Sequence, residues 1–121
     1  LRGHHNVMNI AAAIAFSVSV GIALGEAADA VASFPGVIRR FTERGSFAGS
    51  LLIDDYAHLP AEIEATLLSA RSHPALSGKL IAVFQPNRYH RIATMADTYR
   101  DCFVTADVVV ITDVYASGTL D

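Results

Sequence analysis

The sequence predicts an α/β protein in which a mostly parallel sheet is flanked by helices and preceded by a helical segment. Two observations predict this class. From residue 51 onward, short apolar runs alternate with helical runs, the order that gives parallel strands joined by helical crossovers. Before residue 34 the apolar spacing is instead helical throughout, which predicts a separate helical portion.

Composition limits the classes of protein to which the chain can belong. Its 121 residues are 52% hydrophobic and 17% charged, which suits one ordinary core and excludes a disordered chain. Nine Lys and Arg against twelve Asp and Glu leave a net charge of -3, so neither nucleic acid nor a membrane surface is an expected partner. The single cysteine excludes an intrachain disulfide and favours a reducing compartment, the cytoplasm.

The amino-terminal third predicts two helices. In residues 7–24, apolar positions recur at helical spacing and predict one buried face, formed by Val7, Ile10, Ala11, Ile14 and Val18. Abundant Ala and interspersed polar residues favour a buried helix over a membrane span or signal peptide. Gly21 and Gly25 interrupt the pattern, and a second helix is expected over residues 26–33. Pro35-Gly36 then predicts a domain boundary, with residues 1–33 in one domain and 34–121 in the next.

Downstream of this boundary the chain predicts a reversal followed by alternating strands and helices. Two extended runs, residues 37–44 and 46–54, are separated by Gly45, which predicts a hairpin or a sharp reversal at that glycine. The apolar patterns predict a strand at residues 51–53, within the second of these runs, and further strands at residues 80–84 and 108–111. They predict helices at residues 60–72 and 92–102.

The helix expected at residues 60–72 has clear local signals. Pro60 lies in the first turn, where its missing N–H costs nothing. Glu62 and Arg71 complement the positive and negative ends of the helix dipole. The spacing of Ile63, Leu67 and Ala70 predicts that these three form the buried stripe.

Polar side chains follow three of the predicted strands. They occupy residues 54–58, 85–91 and 113–115. In an open parallel sheet, loops beyond the carboxyl ends of the strands converge with helix N-termini. We therefore expect carboxylate, imidazole, phenol and guanidinium groups at one edge, an arrangement that suits a substrate with anionic groups and a separate hydroxyl-rich part.

Several of these residues also have a purely structural interpretation. Asp54 is equally a candidate helix cap or turn former, and His58 is a candidate cap for the following helix. Arg88 and Arg91 lie at an expected helix start, where they oppose the dipole, and this favours contact with an anion. Cys102 has apolar neighbours and is expected in the core. These patterns indicate an α/β binding domain but do not identify its ligand.

Four motifs, in order along the chain, resemble those of the Mur ligase family. They are residues 3–9 (GHHNVMN), 34–41 (FPGVIRRF), 54–63 (DDYAHLPAEI) and 84–89 (FQPNRY). The ordered set is far more specific than any one motif. Residues 113–118 (DVYASG) are in addition similar to the branch of the family that adds L-alanine.

The resemblance implies the fold and the activity of the whole enzyme. The fold would be a Rossmann-like carboxy-terminal domain preceded by the helical end of a central ATPase domain. The reaction would use ATP and Mg²⁺ to join an amino acid, L-alanine in this branch, to UDP-N-acetylmuramate through an acyl phosphate, in cytoplasmic synthesis of peptidoglycan precursors. Positioning and charge neutralisation would be the main contributions of the protein.

The resemblance also implies roles for eight residues. Asn6 matches the adenine contact, His5 is its neighbour in the motif, Arg40 matches an arginine that reaches the nucleotide, and Asp55 matches the ribose contact. Arg39 and Arg40 would point to opposite faces of an extended run, so at most one is expected to face a given ligand. The residues that match the surface for the amino acid and the UDP-sugar carboxylate are Tyr56, His58, Arg88 and Arg91.

The chain departs from the family pattern at four positions on the amino-acid side of the site. Leu59, Asn87, His90 and Ile92 stand where the family usually has His, His, Ser and Thr. The accepted amino acid therefore stays open. A tripeptide-recycling ligase and a non-catalytic binding module with the same fold are the alternatives.

The sequence contains no phosphate loop of the form G-x-x-G-K-[ST] and begins at Leu1 rather than Met. We therefore interpret it as a fragment that is inactive by itself. The metal ligands and the rest of the central domain are expected upstream, in the same polypeptide.

Overall fold

The computed structural model describes residues 3–118, which form two compact units that divide between Asp54 and Asp55. The amino-terminal unit contains α1 (His4–Ser19), α2 (Leu24–Ser33), β1 (Thr42–Phe47) and β2 (Ser50–Asp54). The carboxy-terminal unit contains α3 (Pro60–Arg71), β3 (Ile81–Phe84), α4 (Tyr89–Thr94), α5 (Ala96–Asp101) and β4 (Val108–Ile111). The boundary predicted at residue 34 separates two domains of a longer protein, which this division into compact units does not test, so it stays a prediction.

Helix α1 packs against α2, but the buried face predicted for it is not formed within residues 3–118. None of its residues is fully buried, and Val7 and Val18 are 60% and 45% exposed. An apolar stripe is buried only where a partner covers it, and α2 alone covers little of this one. Gly21, at φ 95°, follows the helix end as expected, whereas Gly25 lies inside α2 and does not interrupt it. No helix of the described residues is long and apolar enough to cross a membrane.

Strands β1 and β2 form an antiparallel hairpin whose turn lies at Ala48-Gly49. Both turn residues have positive φ, 48° and 79°, as two-residue hairpin loops of the primed type require. The reversal predicted at Gly45 is therefore wrong. Gly45 lies within β1. The strand register shifts between Glu43 and Gly45, and the φ of 107° at Gly45 accommodates the bulge there.

The α/β class is confirmed, but the sheet differs from the single mostly parallel sheet that was predicted. Within residues 3–118, β3 and β4 pair in parallel, whereas β2 pairs antiparallel with β1 in a second two-stranded sheet. The physical reason is the short turn. A two-residue loop brings an antiparallel partner beside β2 at little cost in loop-closure entropy.

The core of the carboxy-terminal unit lies between α3, β3 and α5. Its buried members are Ile63, Leu67, Phe84, Tyr99 and Cys102. The Phe84 ring lies 5.9 Å from Tyr99 and 5.3 Å from Phe103, measured between ring centroids, so aromatic contacts cover one face of β3. The predicted stripe of α3 and the buried position of Cys102 are confirmed, and burial raises the pKa of the Cys102 thiol.

The single helix predicted over residues 92–102 is divided into α4 and α5 at Met95, which has φ −113°. The hydroxyl of Thr94 donates to the His90 carbonyl at 2.8 Å. Such bonds back to the preceding turn bend helices. The division places Tyr99 in the separate short helix α5, where it is buried in the core.

The end of α3 is tied to the strands by one ion pair. Arg71 Nη2 donates to Asp107 Oδ2 at 3.0 Å, and the same oxygen accepts from the Leu80 backbone N–H at 2.6 Å. These bonds, with that of Leu80 first, lower the pKa of the Asp107 carboxyl. The tie fixes where β3 and β4 begin relative to α3.

Candidate functional site

A cleft of about 320 Å³ lies in the amino-terminal unit, between the start of α1 and the segment that leads into β1. Asn6 of the helix lines one side, and two short stretches before and within the start of β1 line the rest: Pro35, Gly36 and Val37, then Arg40, Phe41, Thr42 and Glu43. Two of the four predicted nucleotide residues, Asn6 and Arg40, therefore share one cavity although they are far apart in the sequence. Amide and guanidinium groups suit a base edge and a phosphate respectively.

Local backbone geometry explains why Arg40 lines the cleft. Residues 38–41 form a turn rather than the start of the predicted strand, and the Arg40 N–H donates to the Val37 carbonyl at 3.2 Å. Arg39 and Phe41, on either side, have positive φ of 60° and 50°, unusual for residues with a side chain. The prediction that only one of the two adjacent arginines faces a given ligand agrees with the lining, although the segment is not extended.

Arg39 does not line the cleft and contacts Asp54. Its Nε lies 3.6 Å from Asp54 Oδ1, and Arg44 Nη2 donates to Asp54 Oδ2 at 2.9 Å. The hydrogen bond from Arg44, and then the charge of Arg39, lowers the pKa of the Asp54 carboxyl. Asp54 is thus neither the helix cap nor the turn former that the sequence suggested, because it pairs with Thr42 in the hairpin and its carboxylate contacts the two arginines.

In the carboxy-terminal unit, the loop before α3 carries Asp55, Tyr56 and His58. Asp55 Oδ1 accepts from the Ala57 N–H at 2.7 Å, which fixes a local turn. The Tyr56 and His58 rings meet edge to face with centroids 5.1 Å apart. His58 Nδ1 lies 3.0 Å from the Tyr56 carbonyl. Two predicted substrate residues are therefore in contact.

Glu62 caps α3, and the imidazole of His58 does not. Glu62 Oε2 accepts from the backbone N–H groups of His58 and Leu59 at 3.0 and 3.2 Å. It also lies 3.5 Å from His58 Nδ1. Sequence reasoning assigned Glu62 only to the helix dipole. The signal available was its position three residues after the helix boundary, the place of the acidic residue in a capping box.

Tyr99 lies between this loop and Arg91 of α4. Its hydroxyl donates to the His58 carbonyl. Burial raises the pKa of the Tyr99 phenol, and the positive charge of Arg91 partly opposes that rise. Arg91, half-buried in α4, thus lies within electrostatic reach of the group that holds His58. Sequence reasoning did not single out Tyr99, because its role depends on the bend at Met95.

Arg88 precedes α4 and is fixed through its backbone. Its N–H donates to the Tyr115 carbonyl at 2.9 Å, and Tyr115 N–H donates to Pro86 at 2.8 Å. The loops that follow β3 and β4 therefore run side by side, as predicted for the carboxyl ends of parallel strands. Between them, Asn87 Oδ1 is buried and has no hydrogen-bond partner within residues 3–118.

The predicted residues are divided between the two units. Asn6 and Arg40 line the cleft of the first, and His5, also in α1, does not line it. The remaining predicted residues, Asp55, Tyr56, His58, Arg88 and Arg91, belong to the second. Within residues 3–118 there is no group of three or more His, Cys, Asp or Glu side chains that can hold a metal ion.

Comparison with known proteins identifies the class. A family model described as Mur ligase, glutamate ligase domain, matches residues 39–119. The chain belongs to the Mur ligase family, as the ordered motifs indicated.

The relatives described here are UDP-N-acetylmuramate–L-alanine ligases. The chain is 45% identical over 123 residues to that of Crocosphaera subtropica and 48% identical over 118 residues to that of Cereibacter sphaeroides. These matches cover 100% and 98% of the chain but only 24% and 25% of the relatives. The crystal structure of UDP-N-acetylmuramate-alanine ligase from Thermotoga maritima matches with a TM-score of 0.74 and 35% identity, over 98% of this chain and 26% of that one. The chain thus spans about a quarter of the length of the proteins it matches.

Proposed function

We propose that the protein is part of an ATP-dependent ligase that joins L-alanine to UDP-N-acetylmuramate in the cytoplasm, for the synthesis of peptidoglycan precursors. The observation that carries the proposal is the cleft shared by Asn6 and Arg40. A family motif from the first helix and another from the turn before β1 contribute one polar side chain each to a single cavity. That arrangement suits a nucleotide, whose base and phosphates need different contacts.

The reaction consistent with this proposal has two steps. A carboxylate oxygen of UDP-N-acetylmuramate attacks the γ-phosphorus of ATP, and ADP leaves. The amino nitrogen of L-alanine then attacks the acyl carbon, loses a proton, and inorganic phosphate leaves. Both steps concentrate negative charge, so guanidinium groups are the natural contribution of this chain. No step of the proposal uses a metal held by residues 3–118.

The roles of individual residues follow from their chemistry. Asn6 would bind the adenine edge, with His5 supporting the same motif, and Arg40 would neutralise phosphate charge. Asp55 would accept hydrogen bonds from the ribose hydroxyls. A second set would orient the amino acid and the UDP-sugar carboxylate, and it comprises Tyr56, His58, Arg88 and Arg91.

The test is ADP release that depends on both UDP-N-acetylmuramate and an amino acid. The 121-residue chain and the full-length protein are assayed in parallel with L-alanine, L-serine and glycine. We expect activity only in the full-length protein, with L-alanine preferred. Activity with a preformed peptide in place of the single amino acid would support the recycling ligase. No activity in either protein, under conditions where a known relative is active, would support the non-catalytic module.

A further inference from the structure

We propose that Asp54 is a positioning residue that holds one wall of the nucleotide cleft, residues 40–43, in the shape that presents Arg40 to its ligand. The proposal rests on the proposed function for the identity of that ligand as ATP. Asp54 does not line the cleft. It acts through the two arginines that bracket the wall, Arg39 immediately before it and Arg44 immediately after it.

The contacts attach both ends of the wall to one carboxylate. Arg44 Nη2 donates to Asp54 Oδ2 at 2.9 Å, and Arg39 Nε lies 3.6 Å from Asp54 Oδ1. The middle of the wall is attached by the sheet, because Thr42 is the cross-strand partner of Asp54. Three successive attachments to one residue restrict the segment more than a single ion pair would.

The wall needs such support because its backbone is strained. Arg39 and Phe41 have φ of 60° and 50°, a region that costs free energy for residues with a β-carbon and persists only where surrounding contacts impose it. At the other end, the register shift between Glu43 and Gly45 makes Arg44 the extra residue of a bulge. A bulge redirects its side chain, and here the Arg44 guanidinium meets Asp54.

Charge alone makes the opposite prediction, which sharpens the test. Removal of the Asp54 carboxylate leaves three arginines, at 39, 40 and 44, near a ligand that is itself an anion. A purely electrostatic effect would therefore strengthen ATP binding. If Asp54 acts by positioning, its loss instead weakens ATP binding, because the wall samples other conformations and Arg40 is in place for a smaller fraction of the time.

The experiment compares Asp54→Asn with Asp97→Asn in the full-length protein. Asp97 is a matched control because it also pairs with an arginine, Arg100 at 3.6 Å, and its substitution causes the same change of charge in the other compact unit. The KM for each substrate and kcat are measured separately. The two ion pairs that Asp54 forms are partly exposed, so each contributes only modestly. We therefore expect the KM for ATP to rise about fivefold in Asp54→Asn. The KM for the other substrates and the parameters of Asp97→Asn should change by less than about twofold.

Two further variants keep the test decisive. Arg44→Gln retains Asp54 and removes only the shorter pair, so the KM for ATP should rise about twofold. Asp54→Glu retains the charge and should recover part of the loss. If Asp54→Asn does not fold, Arg44→Gln alone carries the test. An unchanged or lower KM for ATP in Asp54→Asn, or in Arg44→Gln when it stands alone, would overturn the proposal.

A second measurement separates failure of this inference from failure of the proposed function. Hydrogen–deuterium exchange of the full-length protein without ligand should be faster at residues 40–43 in Asp54→Asn than in the wild type or in Asp97→Asn. Unchanged exchange there would overturn the positioning role even in an active enzyme. If exchange at residues 40–43 is faster in Asp54→Asn than in the wild type but the wild type does not use ATP, the positioning role is retained and only the proposed function is refuted.

Discussion

Replacement of Glu62 by Ala should destabilise the carboxy-terminal unit, because Glu62 accepts hydrogen bonds from the partly buried backbone N–H groups at the start of α3. Its Oε2 accepts from the backbone N–H groups of His58 and Leu59 at 3.0 and 3.2 Å. The side chain is 29% exposed, so water replaces these bonds only in part. Loss of a cap costs about 0.5 to 2 kcal/mol, and loss of an acid near a helix N-terminus about 0.3 to 1 kcal/mol. Alanine recovers a few tenths of a kcal/mol through its helix propensity. The net expectation is roughly 1.5 kcal/mol.

Urea unfolding followed by far-ultraviolet circular dichroism measures this difference. Glu64→Ala is the matched control, since Glu64 is exposed on the same helix and its substitution removes the same charge. The control should lose less than about 0.5 kcal/mol. Glu62→Gln keeps an acceptor oxygen and should lose about half as much as Glu62→Ala. Equal unfolding free energies for Glu62→Ala and Glu64→Ala would refute the capping role.

Three other predictions concern the core, the acid stability and the site. Phe84→Ala should lower the free energy of unfolding, measured in urea, by about 3 to 5 kcal/mol, because Phe84 is only 9% exposed. Val83→Ala is the control and should lower it little, because Val83 is 71% exposed. Equal losses in the two variants would contradict the assignment of the core face. The pKa of Asp107 is lowered below its ordinary value of 3.8 by the Leu80 and Arg71 hydrogen bonds. Its contribution to stability is therefore complete above pH 3.8 and is lost as the pH falls further, so Asp107→Asn should show a weaker loss of stability than the wild type over that acid range; parallel acid profiles would contradict it. Asp55→Ala in the full-length protein should raise the KM for ATP about tenfold with a smaller effect on the other substrates, and an unaltered KM for ATP would count against the ribose role.

Local signals predicted those parts of the fold that depend on near neighbours along the chain. The buried stripe of α3, the span of β4 and the buried position of Cys102 were all available from apolar spacing. The turn of the hairpin was misplaced because two glycines lie close together. Gly45 and Gly49 both have positive φ, and only the strand register distinguishes a bulge from a turn.

The candidate site was predictable as residue types but not as an arrangement. Family motifs indicated Asn6 and Arg40, and nothing in either motif states that both line one cleft. The roles of Asp54 and Tyr99 depend on cross-strand register and on a helix bend, which arise from contacts between distant residues. Apolar spacing alone did not indicate the exposure of α1, because burial depends on which surfaces cover a helix and not only on its own pattern.

The backbone of Arg88 implies that selection for stability and selection for activity favour different residues at this position. Arg88 has φ 65° and ψ 118°, a conformation that glycine adopts far more readily. A mutant library screened only for heat resistance should therefore accumulate glycine at position 88. One screened for the proposed ligase activity should retain the guanidinium. Selection for stability alone would thus remove a side chain that is proposed to orient the substrates.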